Sequence, residues 1–119
     1  MDFADYQQQA ARTLRRAHPD HPEFQQRREH SIAVMGLGIA GEAGEVADYL
    51  KKVLGHGHEM DLMRLAKELG DVLWYVAALA TMHHLRMEDI ATINITKLRE
   101  RFPNGFTTAD SIARKDEQP

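Results

Sequence analysis

Two short runs hold residues able to do chemistry together: Gly41-Glu42-Ala43-Gly44-Glu45-Val46 and Lys67-Glu68-Leu69-Gly70-Asp71-Val72. Each sets two acids three residues apart around a glycine, inside a segment of helical periodicity. On a helix turning about 100° per residue, the acids of one pair fall roughly 60° apart and one turn from each other. Glu42 interrupts the apolar stripe Ile32, Met35, Ile39, Ala43, Val46, Leu50, Val53, and Glu68 interrupts the stripe Leu65, Leu69, Val72, Val76, Leu79. Glu45 and Asp71 sit at the matching edges. If the stripes face each other, four carboxylates are expected to converge on one interior spot.

Such a cluster needs a cation, because each buried unpaired charge costs several kcal/mol and like charges repel. Hard divalent ions take oxygen ligands, and Mg²⁺, or Mn²⁺, fits carboxylates together with water and substrate phosphate. For a single pair, a solvated helix surface with Lys51, Lys52 and Lys67 as partners is the simpler explanation, since short patterns recur by chance. Two pairs in the same register, both replacing apolar positions, favour a site. The chain has no cysteine, so thiolate zinc sites, disulfides and cysteine nucleophiles are excluded. No glutamate has a histidine three residues later, which argues against a di-iron carboxylate bundle.

The two acidic motifs, with Leu73-Trp74-Tyr75 after the second, are followed by Asn94-Ile95-Thr96-Lys97-Leu98 and Arg101-Phe102-Pro103-Asn104-Gly105-Phe106. Together they resemble the MazG-type members of the all-α nucleoside triphosphate pyrophosphohydrolases, over roughly Ile32 to Phe106. Many relatives carry two adjacent acids where this chain has Gly41 before Glu42. The resemblance implies metal ligation by Glu42, Glu45, Glu68 and Asp71, and catalysis involving Glu42, Glu45 and Lys97. It also implies substrate contacts from Asn94, Lys97, Arg101 and Lys52. Read from the residues alone, Lys97 and Arg101 serve equally well as a cationic end to the last helical turns.

Four helices are expected to position these groups. The first runs from Asp2, a possible N-cap, to about Ala17, with Arg12, Arg15 and Arg16 as a basic face. His18-Pro19-Asp20-His21-Pro22 ends it, and a polar loop continues to about Arg28. The second helix is expected from Glu29 to Leu54, stopping at Gly55-His56-Gly57-His58. Its glycines at 36, 38, 41 and 44 each cost about 1 kcal/mol of helix propensity, which points to close approach of a backbone or ligand. The third spans about Glu59 to Leu85, and the fourth about Glu88 to Phe102. Trp74 is expected in a core or subunit interface ahead of stacking on a base. The histidine pair at 56 and 58 reads as solvent-exposed ahead of metal-binding, and so do His83-His84 and His30.

At this length the expected organisation is one all-α domain over 1–106, a four-helix bundle associating as a dimer or tetramer, with an extension over 107–119. A short helix near Thr108 and frayed last residues complete it. A net charge of −3 supplies no basic footprint for nucleic acid, and no apolar run is long enough to span a membrane. The amino terminus lacks the order of a secretion signal, so a cytoplasmic setting is expected. The resemblance implies Mg²⁺-dependent cleavage of nucleoside triphosphates between the α and β phosphates, in clearing the nucleotide pool. A non-catalytic helical module docking basic partners is the alternative, and hydrolysis of another phosphoanhydride is a third reading.

Overall fold

The computed structural model describes residues 1–119, and every regular element in it is helical. In order these are α1 (Phe3–Ala10), α2 (Phe24–His56), α3 (Leu62–Met82), α4 (Met87–Arg101) and α5 (Thr108–Ala113). Short 3-10 turns occupy Ala11–Thr13 and Lys115–Glu117.

Helix α1 starts where an acid could cap it: the Asp5 amide donates to Asp2 Oδ1 at 2.8 Å, and the Asp5 carboxylate accepts from the Asp2 amide at 3.5 Å. It stops seven residues short of the expected Ala17. Leu14 takes an extended conformation (φ −75°, ψ 120°) that sends its side chain against Ala78 and Met82. Continued periodicity on paper gives way to one buried anchor.

Helix α2 begins at Phe24, so the stretch expected as loop forms its first turn. Gln25, Gln26, Arg27 and Arg28 are polar but strong helix formers. The helix ends at Gly57 in the left-handed region (φ 74°), as the glycine-rich stop anticipated. Helix α3 starts at an N-cap the sequence reading missed, with Asp61 Oδ1 accepting from the Met63 and Arg64 amides at 2.9 and 3.2 Å. It ends at Met82, before the expected Leu85, because His84 turns with φ 56°.

Helices α2 and α3 form an antiparallel hairpin. Tyr49 meets Asp61, Glu42 meets Glu68 and Asp71, and Arg28 meets Met82, so the pairings run in opposite order along the two helices. At Gly38 the Tyr75 ring of α3 lies directly against α2: a Cβ there would stand 2.1 Å from Tyr75 Cε1. Nothing in the chain lies against Gly36, Gly41 or Gly44, so close packing accounts for one glycine of the four. Trp74 packs beside Leu14, Ala78 and Met82 and donates from Nε1 to Thr13 Oγ1 at 2.9 Å. It therefore ties α3 to the end of α1 within one chain.

Helix α4 reaches α3 only through its first turns, where Met87 and Ile90 pack on Ala77 and Ala80. The Gln7 side chain supports this corner, accepting from the Met87 amide at 2.9 Å and donating to the Leu85 carbonyl at 2.8 Å. At the far end the chain folds back through α5. Arg101 holds Asp116 with Nε and Nη2 at 2.5 and 2.7 Å, and Glu117 at 3.2 Å. The last residues, expected to fray, are held by this pair in a 3-10 turn.

Candidate metal centre

Glu42 of α2 and Glu68 and Asp71 of α3 bring carboxylate oxygens within 4.8 Å of one another. The hairpin brings the two motifs side by side, and Glu42 meets both acids of the second one. Glu45 is carried a turn toward the hairpin end and rotated roughly 60° outward. It is exposed and lies outside the group of three. Glu42 and Glu68 are half-buried and Asp71 is exposed, which makes the centre a notch open to solvent rather than a dry interior.

Compensating charge is scarce. Arg64 Nε stands 4.0 Å from Glu68 and leans over the Tyr49 ring, 4.4 Å from its centroid. The lysines that could have neutralised the acids do other work. Lys51 and Lys52 both pair with Asp48, at 2.8 and 2.6 Å, and hold its carboxyl down at about 2. Lys67 reaches no carboxylate within ion-pair distance.

The donor set fits a hard cation. Oxygens on opposite sides of a Mg²⁺ stand about 4.2 Å apart, and across a larger divalent ion nearly 5 Å. The observed separation needs only small side-chain movement, and an ion there would share its remaining positions between water and substrate oxygens.

Asn94 and Lys97 are exposed on α4, which leans away from the hairpin beyond its first turns. Arg101 is committed to Asp116 and Glu117, and this contact raises its pKa further while holding Asp116 below the usual carboxylate range. Lys52 is committed to Asp48. His56, the last residue of α2, and His58, in the loop that follows, are both exposed.

Three nearby groups escaped the sequence reading. Arg64 could have been noticed one turn before Glu68. Tyr49, 2% exposed, accepts from the Asp61 amide at 2.7 Å and thereby sets where α3 begins. Tyr6 lies on α1 and packs beside Ala77, Ala80 and Met87. Partial burial and then the charge of Asp71 push its hydroxyl pKa up, placing α1 within electrostatic reach of the notch.

Residues 30–106 match the MazG nucleotide pyrophosphohydrolase domain family. The chain belongs to that family, and the all-helical architecture agrees with it. It is also similar to a protein named "Gene 37 protein" of Mycobacterium phage L5. The two are 36% identical over 78 residues, covering 62% of this chain and 68% of the phage protein. No solved structure matches the chain. No helix is long and apolar enough to cross a membrane.

Proposed function

We propose that this chain is a Mg²⁺-dependent nucleoside triphosphate pyrophosphohydrolase, cleaving between the α and β phosphates to release monophosphate and pyrophosphate. One observation carries the reading: three carboxylates from two helices meet in a notch with a single cation, at 4.0 Å, to offset them. Membership of the MazG family supports it.

Glu42, Glu68 and Asp71 would hold the cation, which neutralises charge on the phosphates and on the departing pyrophosphate. Glu45, at the open rim beside Glu42, is suited to orient the attacking water and accept its proton. Lys97 and Asn94 would steady the phosphate chain, and Lys52 would help only by giving up Asp48. Arg101 joins them only by giving up Asp116. Clearing of the nucleotide pool in the cytoplasm is the role this chemistry suits.

Self-association belongs to the same reading. Only 7 of 119 residues are buried, and the accessible surface is 8851 Å², against roughly 6,500 Å² for a compact monomer of this mass. The radius of gyration is 18.0 Å, against roughly 13.5 Å for a compact chain of this length. That excess is of the order a stable interface covers. Ile93 and Ile95 on α4, Leu37 on α2 and Leu69 on α3 stand bare. A dimer or tetramer would cover them and bring α4 of one copy toward the hairpin of another.

The test is a panel of canonical and modified triphosphates, incubated with and without Mg²⁺ and assayed for pyrophosphate. Mg²⁺-dependent product from at least one of them is expected. No product from any would overturn the hydrolase reading and leave a helical docking module.

A further inference from the structure

A second charged feature lies away from the carboxylates, at the start of α2. Arg15 and Arg16, just past the buried Leu14, meet Arg27, His30, Gln26 and Ser31 around an open hollow of about 520 Å³. The local sequence explains the gathering. Leu14 anchors the chain inward, so the two arginines that follow are turned outward, while Arg27, His30 and Ser31 share one face of the first turns of α2. No carboxylate lines the hollow.

Arg15 and Arg16 form no ion pair, and Arg27 has only a solvent-exposed contact with Glu23 at 3.7 Å. The other acid nearby, Glu29, accepts from the Gln25 side chain at 2.9 Å. Three arginines thus line one hollow with little to oppose them, in a protein whose net charge is −3. His30 and Glu42 are twelve residues apart on α2, roughly 18 Å at about 1.5 Å per residue. The hollow is therefore separate from the acidic notch.

We infer that this hollow is a second anion site, which takes a condensed phosphate chain without metal. Guanidinium forks bind phosphate oxygens in bidentate fashion, and several converging on a compact, highly charged anion suit a shallow, open site better than an apolar ligand would. The chemistry is shared by inorganic pyrophosphate and by the phosphate tail of a nucleotide. Removing divalent ions isolates the site, because bare carboxylates at the notch repel such anions.

The experiment titrates inorganic pyrophosphate into the full-length protein in EDTA, followed by calorimetry and amide NMR. Saturable binding that weakens as salt rises is expected, with shifts centred on residues 15–16 and 26–31. Arg15→Gln with Arg16→Gln should weaken it at least tenfold. Arg15→Lys, which keeps the charge and loses the fork, should have a smaller effect, and Glu42→Gln should bind as the parent does. A nucleoside triphosphate matching pyrophosphate in affinity identifies the phosphate chain as what is read. A triphosphate binding more than tenfold tighter identifies a nucleotide as the ligand. Absence of saturable binding in EDTA overturns the site, as does unchanged affinity in the double arginine variant or loss of binding in Glu42→Gln. None of these outcomes depends on whether the acidic notch hydrolyses anything.

Discussion

Along α2 and α3 the side chains meet in reciprocal fits: a glycine receives the Tyr75 ring, the Tyr49 phenol receives the Asp61 amide, and three carboxylates face one another between them. Helix α4 is fastened differently, at its first turns by Met87 and Ile90 and at its end by Arg101, with Ile93 and Ile95 bare between. The hairpin has its geometry built in, as a centre of converging like charges requires. The arm bearing Asn94 and Lys97 is held at its two ends and bare between them.

Neutralising the hairpin's acids is the strongest way to break this contrast. Glu42→Gln should lower turnover about a thousandfold, several kcal/mol of barrier, as measured by pyrophosphate release. Mg²⁺ should raise the melting temperature of the parent and leave that of Glu68→Gln unchanged, since only a state that binds the ion gains from it.

On the arm, Lys97→Ala should cost about 10- to 100-fold in kcat/KM, the scale of one charge-assisted hydrogen bond, with the melting temperature unaltered. A large stability loss instead would show that α4 is packed as tightly as the hairpin.

Within the hairpin, Gly38→Ala should destabilise by about 1–3 kcal/mol in urea, because the Tyr75 ring must move to admit a methyl group. Tyr49→Phe should cost about 1 kcal/mol by the same measurement, for one hydrogen bond at a buried phenol.

The smallest effect concerns the clasp at the end of α4. Asp116 is held below the usual carboxylate range, first by its hydrogen bonds from Arg101. Its contribution is therefore complete above the ordinary carboxylate pKa and disappears as pH falls through the lower folded value. Amide NMR should show residues 115–117 released only below that ordinary range, with the hairpin signals still in place.

These elements differ in how far they could be read from the chain. The stripes through Ile39, Val46, Leu69 and Val76 reveal the two long helices, because burying one face imposes a period. The acid pairs mark the notch, since a charge inside such a stripe is conspicuous. That Glu45 stands outside the group of three was not legible, because it depends on how the two helices are rotated against each other and not on either motif. The early end of α1 depends on Leu14 finding Ala78 and Met82, more than sixty residues away in sequence. The start of α2 differs for a local reason: a polar stretch reads as loop, yet glutamine and arginine favour helix. Arg101 looked available because its partners come from the tail, whose composition suggests no order.

The bond between Tyr49 and Asp61 closes the hairpin ahead of its own loop. Residues 57–60 bulge beyond that staple and carry no part of the helix pairing. A peptide tag or fluorophore spliced among them should leave the carboxylates where they are, so this bend is a convenient place from which to observe the protein at work.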